Sequence, residues 1–72
     1  MEQLFTVKEV SKILKTNTNY VYELIRKGYL KCLKLGSYKV RESTLAEFVA
    51  NYEGYDLTNT DEPKKMNIVG EE

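Results

Sequence analysis

Five side chains near the start of TNTNYVYELIRKG (residues 16–28) can make directional hydrogen bonds: Asn17, Thr18, Asn19, Tyr22 and Arg26. At about 100° per residue on a helix, Asn19, Tyr22 and Arg26 fall on one side, with Glu23 among them. Val21, Leu24 and Ile25 fall on the other. Thr18 lies at the polar N-terminal end. Amides, hydroxyls and a guanidinium are the groups that bond base edges and phosphates. A helix N-terminus adds free N–H groups and the positive end of a dipole, both suited to phosphate. A second polar set follows in LKLGSYKVR: Lys34, Ser37, Tyr38, Lys39 and Arg41.

Other chemistries are poorly provided for. The chain has no histidine, so the commonest general base and metal ligand are both missing. Its single cysteine, Cys32, can form neither an internal disulfide nor a zinc site alone. At 72 residues, the chain offers few side chains to line a substrate cleft. The expectation is a non-enzyme with no catalytic residues, no metal and no cofactor. No segment reaches the roughly 20 apolar residues of a membrane span, and MEQLFTVKEV lacks the regions of a signal peptide. A cytoplasmic protein is expected.

The zero net charge conceals a division. Residues 1–53 carry nine basic and six acidic residues, a net of +3, whereas residues 54–72 carry two basic and five acidic, a net of −3. The expected organisation is a folded domain over 1–53 and an acidic, flexible or loosely docked tail over 54–72.

The elements that must position the polar groups are legible in the spacing. Thr6 and Glu9 have the spacing of a capping box. Val7, Val10, Ile13 and Leu14 then mark one face of a helix that ends near Lys15. Leu4 or Phe5 can pack over its start. Asn17 is the predicted N-cap of the next helix, and Gly28 suits the left-handed position after it. So short a link between two helices predicts a tight helix-turn-helix. Leu30, Cys32 or Leu33, and Leu35 alternate with lysines, and Gly36-Ser37 reads as a two-residue turn into a second strand over 38–41. Ser43 is the expected cap of a third helix that buries Leu45, Phe48, Val49 and Tyr52, with Gly54 ending it.

This order, carried by FTVKEVSKIL, NTNYVYELIRKGYL and LKLGSYKVRESTLAEFV over about residues 4–52, resembles the small winged-helix DNA-binding proteins of the excisionase family. The DNA-reading part of mercury-resistance-type regulators is a relative. The matching positions include Thr6, Glu9, Val10, Leu14, Val21, Tyr22, Arg26, Gly28, Lys34, Gly36, Tyr38, Arg41, Leu45 and Phe48. Where the family has a glycine before the recognition helix, this chain has Lys15. Where it has a small residue in the first helix, often alanine, this chain has Ser11. The wing tip is one residue shorter than usual. The resemblance implies a mainly α fold with a small β-hairpin, a winged helix-turn-helix of three helices and a two-stranded wing. It places Asn17, Thr18, Asn19, Tyr22 and Arg26 in the major groove of double-stranded DNA. Lys34, Ser37, Tyr38, Lys39 and Arg41 belong to the wing and its flanks.

The implied role is sequence-specific DNA binding as an architectural accessory that steers a site-specific recombinase (integrase) toward excision of a mobile element. A monomer or a weak cooperative oligomer on DNA fits this role. A small transcriptional regulator, or a winged-helix protein-interaction module without DNA binding, are the alternatives. Each polar group also has a plainer use. Asn17 caps a helix in any case, Arg26 can pair with Glu23, and Lys34, Lys39 and Arg41 can protect a sheet edge.

Overall fold

A computed structural model describes residues 2–66. The chain runs β1 (Leu4–Thr6), α1 (Val7–Ile13), α2 (Thr18–Arg26), β2 (Leu33–Leu35), β3 (Ser37–Arg41), α3 (Glu42–Tyr52), β4 (Tyr55–Asp56) and β5 (Lys64–Lys65). It is the mainly helical winged helix-turn-helix that the family resemblance implies.

The capping box forms as expected. Thr6 Oγ1 accepts from the Glu9 amide at 3.1 Å, and Glu9 Oε1 accepts from the Thr6 amide at 2.9 Å. After one further turn α1 closes with two bonds: the Lys15 amide to the Lys12 carbonyl at 3.2 Å, and the Thr16 amide to the Ser11 carbonyl at 2.8 Å. This is a Schellman closure, and it needs a left-handed residue at Lys15, whose φ is 57°. The chain has a lysine where its family resemblance calls for glycine, and the backbone takes the glycine conformation regardless.

Within α1, Val7 and Val10 are buried and Leu14 is packed against them, but Ile13 lies 48% exposed. The buried place on that face goes to Ser11, whose hydroxyl donates to the Lys8 carbonyl at 2.7 Å. A small side chain there lets α1 approach the rest of the core, and the local bond removes the cost of burying a hydroxyl. The core itself is Val7, Val10, Val21, Leu24, Leu30, Val40, Leu45 and Phe48, drawn from all three helices, the link after α2 and β3.

The wing differs from the expected two-stranded ribbon. β3 is central in a three-stranded antiparallel sheet of order β1-β3-β2. Phe5 pairs with Val40, and Lys34 with Tyr38. The segment before α1 was expected only to pack over the helix start; its backbone pairs with β3 as well. The turn also differs. Leu35 pairs directly with Ser37, so Gly36 alone makes the tip, with φ 80°. An L side chain rarely adopts that conformation. Leu33 and Leu35, expected to alternate inward, are both exposed, because β2 is an edge strand and no layer of the described residues covers its outward face.

Two further expectations are corrected at α3. Its N-cap is Arg41, not Ser43, and no side chain of its own first turn caps it. The N-terminal segment supplies the missing acceptors. Glu2 Oε1 accepts from the Ser43 amide at 2.8 Å, and the Gln3 carbonyl from the Glu42 amide at 3.0 Å. A carboxylate at a helix N-terminus is also favoured by the dipole. Val49 is 46% exposed, so the buried face of α3 is Leu45, Phe48 and the partly covered Tyr52.

The largest difference lies beyond Gly54. Residues 55–66 do not run free: β4 and β5 pair antiparallel, Tyr55 with Lys65 and Asp56 with Lys64, and the Met66 amide donates to the Gly54 carbonyl at 2.7 Å. Tyr52 stacks against Tyr55, Tyr29 and Phe48 at centroid distances of 6.0, 5.5 and 5.3 Å, tying the hairpin to α3 and to the end of α2. Where a flexible or loosely docked tail was expected, residues 55–66 form a docked hairpin; residues 67–72 lie outside the described residues.

Two predictions follow from the caps. Lys15→Gly relieves a left-handed backbone and should raise unfolding free energy by about 1 kcal/mol in urea titrations. Glu2 is held below its ordinary value of 4.5, chiefly by the Ser43 amide and more weakly by Arg41. A depressed carboxylate stabilises the fold above its unfolded pKa and loses that effect as pH falls. Glu2→Gln should thus lower Tm at neutral pH, and the gap from the parent should close as pH drops below about 4.5. A gap that stays constant with pH would rule out the carboxylate as the source.

Candidate nucleic-acid interface

The geometry of this site is set by how α2 is held. Asn17 Oδ1 accepts from the Tyr20 amide at 2.8 Å, which starts the helix. At the other end the Tyr29 amide bonds the Leu24 carbonyl at 2.9 Å and the Gly28 amide the Ile25 carbonyl at 3.1 Å, with Gly28 at φ 86°. Between these caps the helix presents three faces, each about 60–100° wide. Val21 and Leu24 are buried, with Ile25 partly so. Tyr20, Glu23 and Lys27 meet the C-terminal hairpin. Asn19, Tyr22 and Arg26 are exposed.

The exposed face continues into the wing. The Tyr22 and Tyr38 rings lie 6.0 Å apart with planes tilted by 58°. Lys34, which faces Tyr38 across the hairpin, places its Nζ 5.0 Å from that ring's centroid. Asn19, Tyr22, Arg26, Tyr38 and Lys34 thus form one surface. Asn17 is exposed beside it, its carbonyl oxygen engaged in the cap, and Thr18 is half-buried at the edge of the core face.

The remaining wing residues are set apart by strand alternation. Val40 is buried with Tyr38 on its side of β3, so Ser37, Lys39 and Arg41 point to the opposite side. Lys39 Nζ donates to Ser37 Oγ at 2.7 Å near the tip. Arg41 stands at the far end of β3, where its guanidinium is 3.2 Å from Glu2 Oε2. Arg41 therefore does not join the cluster. Arg26 does not pair with Glu23; among the described residues the ion pairs are Lys27–Asp61 and Arg41–Glu2.

Glu23 was expected on the exposed side with Arg26. The structure turns it to the C-terminal loop, where it accepts from Thr60 Oγ1 at 2.5 Å. Tyr20 Oη donates to the Leu57 carbonyl, and Tyr29 Oη to the Thr60 carbonyl at 2.5 Å. Burial, then the nearby Glu23 and Asp56 carboxylates, push the Tyr20 phenol up. The hydrogen bond to Asp61 holds the Lys27 ammonium above the ordinary lysine value. Sequence reasoning missed this set. One signal was available: Asp56 Oδ1 accepts from the Thr58 amide at 2.9 Å and Asn59 Oδ1 from the Asp61 amide at 3.0 Å. Aspartate and asparagine two residues before a bonded amide are turn chemistry.

A family described as "Helix-turn-helix domain" matches residues 4–52. The chain belongs to this family. The match takes in α1, the turn, α2, the wing and α3, and the family is an excisionase-like one. It supports a DNA-binding helix-turn-helix protein with double-stranded DNA as its partner. Comparison with curated proteins and with solved structures gave no match. Among the described residues no cluster of histidine, cysteine and carboxylate groups could hold a metal ion. No helix among them is long and apolar enough to cross a membrane.

The docking of the loop on α2 can be tested directly. Tyr29→Phe removes the donor to the carbonyl of Thr60, a residue only 4% exposed. The expected cost is about 1–2 kcal/mol in chemical denaturation. An unchanged midpoint would show that the loop is not held by this bond.

Proposed function

We propose that the protein binds a specific duplex DNA site through α2 and its wing, as an excisionase-type architectural accessory to a site-specific recombinase. The observation that carries this reading is the continuous exposed surface from Asn19, Tyr22 and Arg26 to Tyr38 and Lys34. A helix that offers an amide, a phenol and a guanidinium on one side suits the major groove, which discriminates all four base pairs. Asn17 and Thr18 stand at the helix start, where amide groups and the dipole favour a phosphate. Lys34 on the hairpin suits the adjoining backbone, which supplies affinity without sequence information; Ser37 and Lys39, on the opposite side of β3, meet a phosphate only around the tip of the wing. Arg41 contributes only if its pairing with Glu2 opens.

The role in recombination is drawn from the excisionase resemblance and the excisionase-like family. In that role the protein bends DNA, and the bond-making and bond-breaking belong to the recombinase.

Selection from a random duplex pool should enrich one short site. Binding to it should weaken with salt at a log–log slope of about 3 to 6. Arg26→Ala should cost about 1–3 kcal/mol and relax one position of the site if it reads a base, or flatten the slope by about one if it holds a phosphate. A flat salt response with no preferred site would favour a protein-interaction module. With the site in hand, mobility of circularly permuted fragments reports bending, and an unbent complex would argue for a transcriptional regulator instead.

A further inference from the structure

The C-terminal loop bonds Tyr20 and Glu23 of α2 and Lys27 just past it, although the helix-turn-helix unit as matched ends at residue 52. Its contacts fall on the charged residues that flank Arg26. Glu23 is engaged by the Thr60 hydroxyl at 2.5 Å, and Thr60 is only 4% exposed. Lys27 is paired with Asp61, whose side chain remains 71% exposed. Glu62 follows directly and is exposed as well.

Consider α2 without this loop. Lys27 would be a flexible ammonium one residue past the helix, beside Arg26. An ammonium is a point charge that contacts any phosphate, and such a contact tightens binding to every sequence alike. Glu23, about 40° round the wheel from Asn19 and about 60° from Arg26, would act against a phosphate on the same flank. The loop changes both. Lys27 is neutralised by a carboxylate, and Glu23 is turned from the exposed row.

We propose that the loop Leu57–Glu62 is a selectivity element of the DNA-binding face. It holds Lys27 and Glu23 away from the duplex and places the Asp61 carboxylate on that flank. The duplex is thereby confined to the side formed by Asn19, Tyr22, Arg26 and the wing. Affinity for unrelated DNA falls more than affinity for the proper site. This rests on DNA binding through α2.

The test is a double-mutant cycle on the full chain: the parent, Asp61→Asn, Lys27→Gln and the double variant. Each is titrated with the selected site and with a scrambled duplex across a salt series, and circular dichroism checks the fold. Asp61→Asn should release Lys27, steepen the salt slope on scrambled DNA by about 0.9 and tighten that binding about three- to tenfold. Lys27→Gln alone should leave the slope unchanged, because the ammonium is already paired. The double variant should return to the parent's slope.

An unchanged slope in a folded Asp61→Asn protein overturns the proposal. So does a slope flattened by about 0.9 in Lys27→Gln, which would place Lys27 on phosphate in the parent. If Asp61→Asn does not fold, the Lys27→Gln slope decides alone. A parent that shows no salt-dependent duplex binding defeats the DNA-binding reading itself. A parent that binds while these slopes stay put defeats only the role of the loop.

Discussion

Val21 and Leu24 are 0% and 1% exposed, and they sit one turn apart on α2. Their burial fixes the rotation of that helix, and every other placement at the site follows from it. Burying two such side chains is worth about 1.5–3 kcal/mol each. A rotation of α2 by one position would expose them. With that stripe turned inward, residues about 100–160° away must turn outward. Asn19, Tyr22 and Arg26 are exposed for this reason, and no separate force has to hold them there. The caps at Asn17 and Gly28 set where the helix begins and ends, so the polar start is presented at a defined point.

The sheet and the N-terminal segment secure the rest of the frame. Val40 on β3 reaches the same core as Val21, which brings the hairpin against α2. The alternation of β3 then decides that Tyr38 faces Tyr22 and that Lys39 and Arg41 face away. β1 contributes a third strand, and Glu2 and Gln3 beyond it satisfy the first amides of α3. One short stretch thus closes a sheet edge and caps a helix, an economical arrangement for a chain with a small core.

The C-terminal hairpin gives α2 a third surrounding. Its bonds join tyrosine hydroxyls to backbone carbonyls and side chains to side chains, with an aromatic row behind them. Such contacts depend on exact placement of two segments more than 30 residues apart. Leu57 is the aliphatic residue of this loop that packs on the core. The polar contacts orient charge on the recognition helix more than they build core.

Local chemistry was sufficient for much of this. The Thr6–Glu9 box, the Asn17 cap, the left-handed Gly28, the helix-turn-helix order and the aliphatic stripe of α2 are all decided by neighbours within four residues. The sequence therefore determined them by itself, along with which groups on α2 stand opposite the core. Tertiary structure decided the rest. Whether Ile13, Val49, Leu33 and Leu35 find a covering layer depends on what packs against them, and among the described residues they stay 44–59% exposed. Whether Arg41 is free or paired, and whether α3 is capped by Ser43 or by Glu2, depends on the N-terminal segment some 40 residues away in the chain. The same holds for Glu23 and Lys27: their spacing puts them on a solvent face, and only the return of residues 57–61 across the helix gives them partners. Periodicity reports which way a side chain points within its own element. It carries no information about which distant segment arrives to meet it.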